Sequence, residues 1–286
     1  MSKNILGEIL KDGGITDEIK HISECGGGDI SSAYQVQTAK ETYFIKTNSP
    51  SFIDNFRAEC AGLEHIKNTN TVLCPTPIKA GVLNKLSYLI MTCIPNLRSG
   101  TADLGEPLAR MHKAGQAQQF GFPITTFCGS TVLDNTMTDE PWSEWFARHR
   151  ISFVLNQIGP KRITKRPVKE VEDKIIEILR PHDNEVKPTL VHGDLWSGNC
   201  GTSQGTPCIY DPACYYGDGE VDLAMSELFG SFGRKFFENY EKVLKIHDGY
   251  QTRKRIYNLY HILNHAYMFG GGYETEASSI IESLFR

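Results

Sequence analysis

One short segment carries residue types that could take up a proton and hold a cation on phosphate groups. Residues 192–199 read H-G-D-L-W-S-G-N, and Asp211 follows Asn199 after twelve positions. A carboxylate such as Asp194 can accept the proton of a substrate hydroxyl, while the oxygens of Asn199 and Asp211 suit Mg²⁺. The spacing H-x-D-x-x-x-x-N with a later aspartate is typical of phosphoryl transfer from ATP. The alternative at this point is a polar turn between two strands.

A lysine and a glutamate in the N-terminal third could form an ion pair. Lys46 ends a predicted strand in which Phe44 and Lys46 share one face. Glu59 lies three residues after Phe56 and four before Leu63, inside the apolar stripe of a predicted helix. A carboxylate there is costly to bury without a partner, and Lys46 is the obvious partner. The alternative is that Glu59 lies at the edge of the stripe, in water.

Three consecutive glycines, Gly26, Gly27 and Gly28, precede the first strand of a predicted hairpin, and Ser31 follows them. Glycines let backbone N–H groups approach phosphate oxygens, and a serine can donate a further hydrogen bond. The segment is not a Walker A loop, because no G-K-[ST] follows, and not a Rossmann fingerprint, because a strand comes next. Taken alone, it could equally be a plain turn.

An apolar strand over residues 87–93 ends at Met91, Thr92 and Cys93. At a junction between two lobes such a strand can offer backbone C=O and N–H groups to adenine, so that side-chain identity matters little. Without the other features, an ordinary core strand would be the favoured interpretation.

The composition excludes several classes of protein. The chain has 286 residues, 40% of them hydrophobic, which is enough for one large domain or two lobes. The net charge of −4 argues against a nucleic-acid or anionic-membrane partner. No run approaches the ~18 consecutive apolar residues of a membrane span. The N-terminus lacks the apolar core of a signal peptide, so we expect a cytoplasmic protein.

Metal binding by cysteine or histidine is the weaker interpretation. The eight cysteines are scattered and none forms C-x-x-C, so we expect reduced thiols rather than a zinc site. His261 and His265 are spaced i, i+4 on a predicted helix, but no H-E-x-x-H glutamate accompanies them. We expect both histidines in the core or in the wall of a substrate site.

The order of the predicted elements changes near residue 95. Before it, periodicity predicts a hairpin over 34–46, a helix over 54–67 and a strand over 86–91. After it the prediction is mostly helical, with helices ending near 115, covering 142–149 and starting at 167, short strands at 190–191 and 208–210, and helices over 222–286. We therefore expect an α+β fold with a small β-rich lobe, residues 1–93, and a larger α-rich lobe, residues 94–286.

Taken together, these residues resemble the fructosamine kinase (ketosamine-3-kinase) family, within the aminoglycoside phosphotransferase and choline kinase-like group. H-G-D-L-W-S-G-N followed by D-P-A-x-Y-Y-G is much more specific than a general kinase signature. The similar stretches span nearly the whole chain: 26–31, 44–46, 59–63, 104–112, 120–122, 128–135, 192–199, 211–217, 220–225 and 264–270.

The resemblance implies a role for each matching position. Asp194 is similar to the catalytic base, and Asn199 and Asp211 to the Mg²⁺ ligands. Lys46 is similar to the phosphate-binding lysine, with Glu59 as its partner. The residues similar to the ATP site are Gly26, Gly27, Gly28, Ser31 and the hinge residues Met91, Thr92 and Cys93.

Further candidates lie on the acceptor side. The candidates for substrate contact are Trp196, Asp218, Glu220 and His265. Asp222 precedes a predicted helix from Leu223, where a plain N-cap is at least as good an explanation as a catalytic role.

Two departures from the family pattern are visible. Asp218-Gly219 stands where most members have His-Arg, and Asp29 stands where many have a cysteine. A carboxylate at 218 near the acceptor would favour the cationic amine of a ketoamine. The alternative is that Asp218 is an exposed turn residue and Gly219 supplies a positive φ angle.

The sequence thus favours a protein-kinase-like fold that binds ATP and Mg²⁺. The implied reaction is phosphorylation of the 3-hydroxyl of ketoamines such as fructosamines or ribulosamines, a repair of glycation. The implied partner is a small-molecule or protein-borne ketoamine. An aminoglycoside- or choline-type phosphotransferase is an alternative, and a nucleotide-binding regulator without transfer activity is an alternative of another class.

Overall fold

A computed structural model describes residues 1–26 and 30–286. The N-terminal part is built on an antiparallel sheet with strand order β1-β2-β3-β5-β4. Its strands are β1 (Ile19–Cys25), β2 (Ser32–Thr38), β3 (Thr42–Asn48), β4 (Pro77–Leu83) and β5 (Leu86–Thr92). Strand β3 lies in the middle of the sheet, and its alternating sequence sends successive side chains to opposite faces.

Two helices cover the two faces of this sheet, α1 (Lys3–Asp12) and α2 (Ile53–Asn68). Leu6, Ile9 and Leu10 of α1 are buried in one apolar cluster with Ile45 of β3. Phe44, the neighbour of Ile45 on β3, packs into the other cluster, which contains the apolar face of α2. Lys46 shares the face of Phe44, so the strand directs its ammonium group toward α2.

The C-terminal part is mostly helical. Its helices are α3 (Gly105–Ala114), α4 (Trp142–Phe146), α5 (Phe153–Ile158), α6 (Val168–Leu179), α7 (Glu220–Leu228), α8 (Arg234–Tyr240), α9 (Tyr250–Phe269) and α10 (Gly272–Ser283). Helix α9 packs against α5, α6, α7 and α10 and buries most of its side chains. No helix in the described part of the chain combines the length and apolar character that a bilayer crossing needs.

Short strand pairs hold the polar loops of this part in place. The strands are β6 (Leu97–Arg98), β7 (Thr126–Cys128), β8 (Thr131–Leu133), β9 (Thr189–Val191), β10 (Cys200–Ser203), β11 (Thr206–Ile209) and β12 (Tyr215–Gly217). Strand β9 pairs with β12, and β10 pairs with β11. The loop 192–199 leaves β9 and enters β10, while Asp211 lies between β11 and β12. The two pairings therefore bring both loops together.

The predicted α+β fold is confirmed, with corrections of detail. The helix predicted over 142–149 is α4, which continues through one wider π-helical turn, Ala147–Ser152, into α5. Helix α1 and the edge strands β1 and β4 were not predicted. The lobe boundary at 93/94 stays a prediction, although β5 ends at Thr92 and the next strand, β6, pairs with β10.

Candidate active site

The predicted catalytic loop is held from behind by a carboxylate of α7. The backbone N–H groups of His192 and Gly193 donate to Oδ2 and Oδ1 of Asp222 at 2.7 and 2.9 Å. Gly193 has φ +81°, and a Cβ there would lie 2.2 Å from the carbonyl oxygen of Ala213. Only glycine fits this position, because the backbone of the loop is in the left-handed region and packs directly against the segment that contains Ala213.

His192 is a structural member of the loop. Its Nε2 lies 2.9 Å from the carbonyl oxygen of Tyr210, and its Nδ1 accepts from the N–H of Asp194 at 3.3 Å. These partners require Nε2 to carry the proton. Burial lowers the pKa of His192, so the ring is neutral and serves to join the two loops.

Asp194 and Asn199 face each other across the loop. The amide nitrogen of Asn199 donates to the backbone oxygen of Asp194 at 2.8 Å and to its Oδ2 at 2.9 Å. Burial raises the pKa of Asp194 to about 7, against the opposing effect of the Asn199 hydrogen bond. Within the described residues nothing donates to Oδ1 of Asn199, which leaves that oxygen available to a cation.

Lys46 joins the N-terminal sheet to the second polar loop. Its Nζ lies 2.8 Å from Oε1 of Glu59 and 2.6 Å from Oδ1 of Asp211. Burial alone would disfavour the ammonium charge, but Asp211 and Glu59 outweigh it and raise the pKa of Lys46. The predicted ion pair with Glu59 is confirmed. The contact with Asp211, 165 residues away, was not predicted.

Asp211 itself has an unusual backbone. Its φ is +56°, which is uncommon for a residue with a side chain. Such conformations cluster at functional sites, where the surrounding structure enforces them. Here Gly62 of α2 permits the close packing, since a Cβ at that position would lie 3.2 Å from both Pro212 and Cys214.

Comparison with known proteins agrees with this geometry. The family model described as fructosamine kinase matches residues 1–286. The chain belongs to the fructosamine kinase family. It is therefore a ketoamine kinase, an enzyme that transfers a phosphoryl group from ATP to a sugar hydroxyl.

Individual relatives cover nearly the whole chain. A probable ketoamine kinase from Synechocystis sp. is 39% identical over 99% of this chain and 97% of its own. The chloroplastic protein-ribulosamine 3-kinase of Arabidopsis thaliana is 38% identical over 100% of this chain and 89% of its own. A candidate fructosamine-3-kinase structure from Haemophilus somnus has a TM-score of 0.88 at 25% identity, covering 98% of this chain and 97% of its own. The two-lobed, protein-kinase-like fold is also that of an aminoglycoside phosphotransferase, with a TM-score of 0.63 at 14% identity and 99% coverage of both chains.

Two backbone donors of the predicted hinge are used inside the protein. The N–H of Thr92 donates to the carbonyl oxygen of Thr76 and the N–H of Cys93 to that of Thr42, at 2.9 and 3.2 Å. The hinge role of Met91, Thr92 and Cys93 stays a prediction, and these two N–H groups are not free for adenine. Ile94 is the next residue, and its N–H donates to none of the described residues. Met91 is buried in the sheet, with 2% of its surface exposed.

The predicted phosphate loop is described only at its edges. Gly26 is exposed, whereas Gly27, Gly28 and also Asp29 lie outside the described residues. Ser31 is held by Asn48 at the end of β3, whose amide nitrogen donates to its Oγ at 3.0 Å. Since that bond uses a lone pair, the hydroxyl proton of Ser31 stays free to donate.

Both interpretations of Asp218-Gly219 need correction. Asp218 is only 6% exposed, and its carboxylate contacts Nε2 of His182 at 3.2 Å and the hydroxyl of Tyr257 at 2.6 Å. It is thus neither an exposed turn residue nor a free carboxylate for the acceptor. Gly219 has φ −57°, and a Cβ there would lie 2.7 Å from Nδ1 of His112. The glycine supplies space rather than a positive φ.

Glu220 is likewise occupied inside the protein. Arg253 binds it through Nε at 2.7 Å and Nη2 at 2.8 Å, both groups being buried. The prediction of substrate contact by Glu220 is therefore wrong in the same way as that for Asp218. Asp222 is the third residue of α7, so it is not the predicted N-cap of this helix.

Trp196 and His265, the other two acceptor candidates, are accessible. Trp196 lies in the catalytic loop and is 39% exposed. The ring of His265 is partly buried on α9, 4.9 Å from that of Phe229 and 5.0 Å from that of Tyr273. Their roles stay predictions.

Proposed function

We propose that this kinase phosphorylates the 3-hydroxyl of a ketoamine, with Asp194 as the general base. The observation that carries the proposal is the meeting of Lys46, Glu59 and Asp211 beside Asp194 and Asn199. The first two residues come from the N-terminal sheet and its helix, and the other three from two loops of the C-terminal part. A polar turn would have no need of a buried lysine between two carboxylates.

The residues present suit Mg²⁺. Asp211 offers a partly exposed carboxylate, and Asn199 offers an amide oxygen that no described residue engages. Both are hard oxygen ligands, which Mg²⁺ prefers, with phosphate oxygens and water completing its shell. When bound, the ion would neutralise negative charge on the phosphates of ATP.

Each remaining residue has a defined task in the reaction. Lys46, oriented by Glu59, binds phosphate oxygens. The N–H of Ile94 is the hinge donor best suited to adenine. Asp194 takes the hydroxyl proton as the hydroxyl oxygen forms its bond to the γ-phosphorus and the bond to ADP breaks. A carboxylate with its pKa near 7 is well matched to this task, because general bases work best near the operating pH.

The lobe division at 93/94 is part of this proposal, with ATP in the cleft between the lobes. The cytoplasmic location stays a prediction, since the curated relatives include proteins named chloroplastic.

The test is a panel of acceptors with ATP and Mg²⁺: fructosyl-lysine, ribulosyl-lysine, an aminoglycoside and choline. We expect the highest kcat/KM for a ketoamine, and phosphorus NMR of the product should locate the phosphate on O3. A higher kcat/KM for the aminoglycoside or choline would contradict the proposal. ATP binding without turnover of any acceptor would favour the regulator instead.

A further inference from the structure

A second group of polar side chains lies beside Asp194 and takes no part in the chemistry described above. His261 and Asn264 of α9 and Cys128 at the end of β7 are almost completely buried. Ligand atoms of Cys128, Asp194 and His261 all lie within 4.8 Å of one another. The buried group therefore adjoins the carboxylate of the proposed base.

Several atoms of this group lack the hydrogen bonds that buried polar atoms usually have. Within the described part of the chain, Nδ1 of His261 and Oδ1 of Asn264 are buried without a partner. The hydroxyl of Tyr260 is also buried and faces the thiol of Cys128. Leaving such an atom unpaired destabilises the folded chain, and native proteins rarely keep several such atoms together. His265, one turn further along α9, shows the usual arrangement, because its Nδ1 lies 2.8 Å from the carbonyl oxygen of His261.

The group is fixed in place and carries no charge of its own. The amide nitrogen of Asn264 lies 3.2 Å from the Sγ of Cys128, which fixes the direction of its unpaired oxygen. Burial lowers the pKa of His261 to about 3, so its ring is neutral and has one donor and one acceptor nitrogen. Burial also keeps the thiol of Cys128 protonated, since it raises its pKa well above the usual value.

We propose that Tyr260, His261 and Asn264, together with Cys128, bind the hydroxylated sugar of the acceptor next to Asp194. A sugar hydroxyl both donates and accepts hydrogen bonds, so it can satisfy an imidazole nitrogen, a phenol or an amide oxygen. The inference rests on the proposed role of Asp194. A neutral polyol suits these uncharged groups, because its hydroxyls can pair with them without the cost of stripping a charged group of its water shell.

The proposed sugar site thereby gives the two ends of a ketoamine different surroundings. The sugar occupies the buried, neutral site, and the cationic amine with its carrier stays outside it. The competing interpretation is a zinc site, because Cys128, Asp194 and His261 are also residue types that bind zinc.

The test uses the full-length enzyme and the variants His261→Phe, His261→Gln and Asn264→Leu. Steady-state kinetics with ATP and fructosyl-lysine should show kcat/KM for the ketoamine reduced about ten- to hundredfold in His261→Phe and Asn264→Leu. The KM for ATP should not change. His261→Gln keeps one donor and one acceptor and should recover part of the loss.

Thermal unfolding separates substrate binding from a structural role. Since His261→Phe removes an unpaired buried nitrogen, its Tm should equal or exceed that of the parent, while fructosyl-lysine should raise its Tm less than it raises the parent's. The matched control is His182→Phe, which removes an equally buried histidine that has a carboxylate partner. That variant should lower the Tm and leave the KM for the ketoamine unchanged.

Three results would contradict the proposed sugar site. One is a lowered Tm in His261→Phe with an unchanged KM for fructosyl-lysine. Another is that fructosyl-lysine raises the Tm of His261→Phe as much as it raises that of the parent. This measurement does not need turnover. The third is one equivalent of zinc in the purified enzyme that Cys128→Ser loses. If the parent enzyme phosphorylated no ketoamine, the proposed function would fail, and the Tm shifts would still decide whether the pocket binds the sugar.

Discussion

Two neighbouring groups of buried polar side chains differ in how completely their polar atoms are hydrogen-bonded. The supporting group lies behind the catalytic loop and consists of His112, His182, Asp218, Glu220, Asp222, Tyr240, Arg253 and Tyr257. Each of its carboxylates has two or more partners. The cleft group consists of Asp194, Asn199 and the sugar pocket, and it keeps several atoms unpaired. Between these two groups, complete pairing accompanies the supporting role and incomplete pairing accompanies the proposed site.

The same difference appears in the acidity of two aspartates. Burial opposes ionisation of Asp222, but the hydrogen bond from His112 and the N–H of Gly193 outweigh it, and the pKa of Asp222 is lowered. Burial prevails at Asp194, where Asn199 is the one stabilising partner among the described residues, and the pKa of Asp194 is raised. Ionised Asp222 therefore stabilises the folded chain at neutral pH, whereas ionised Asp194 destabilises it.

The largest effect should follow from removing the base. Asp194→Asn should lower kcat by about 10²–10⁴-fold, because the hydroxyl proton then has no acceptor. ATP affinity, measured by calorimetry, should stay near that of the parent. Asp173→Asn, on the exposed face of α6, is the control and should keep its activity. Near-normal turnover of Asp194→Asn would show that the carboxylate of the cleft group is not the base of the reaction.

Removing Asp222 should affect folding as well as activity. Asp222→Ala leaves two backbone N–H groups and His112 without an acceptor, so we expect a loss of about 3–5 kcal/mol in the free energy of unfolding. Urea denaturation measures this loss. Asp103→Ala, which breaks an exposed ion pair with Lys235, should cost less than about 1 kcal/mol. Equal losses in both variants would contradict a supporting role for Asp222.

Substitution of Asp211 tests the proposed Mg²⁺ site. Asp211→Ala removes one of two proposed Mg²⁺ ligands and a partner of Lys46, so MgATP should bind at least about tenfold more weakly and activity should fall further. Chelation of Mg²⁺ should abolish the activity of the parent enzyme. Calorimetry showing MgATP bound as tightly as by the parent would rule out the metal role.

Gly219 tests how tightly the supporting group is packed. Gly219→Ala places a methyl group against His112 and the hydroxyl of Tyr240, so we expect a loss of about 1–3 kcal/mol in stability. Gly272→Ala is the control, since nothing lies within 4 Å of its Cβ position. A Tm unchanged in both variants would show that the supporting group has more room than its distances indicate.

The last expected effect is a dependence of stability on pH. The pKa of Asp194 is about 7 in the folded chain and 3.8 in the reference state, so the stability of the parent should fall as pH rises from about 4 to about 7. Asp194→Asn lacks this loss. In the presence of EDTA and without nucleotide, the Tm of the variant should therefore exceed that of the parent at pH 8 and exceed it less at pH 5. The opposite trend would mean that Asp194 has an effective partner.

Local pattern was enough to predict some parts of this molecule. The alternation over 42–46 and the apolar stripe containing Glu59 led to the Lys46–Glu59 pair, because both residues lie on regular elements. The i, i+3, i+4 spacing of Leu6, Ile9 and Leu10 could have identified α1. Strand β1 has a single buried residue and β4 begins with Pro77, so neither edge strand alternates clearly.

Other features depend on contacts between distant segments. Asp222 lies in the first turn of α7, where an acidic residue is ordinary, and only the tertiary fold aims it at the catalytic loop. The burial of Asp218 depends on His182 and Tyr257, which follow no local pattern with it. The unpaired atoms of His261 and Asn264 also become visible only when all neighbours are known.

The close contact of Gly219 with His112 limits which residues can occupy this position. A side chain larger than that of glycine would need the space that the imidazole of His112 and the hydroxyl of Tyr240 now occupy. Exchange of Asp218 for histidine would meanwhile face His182 with a second imidazole instead of a carboxylate. Replacement of the Asp-Gly pair by larger or basic residues would therefore require compensating changes at His182, His112 or Tyr240.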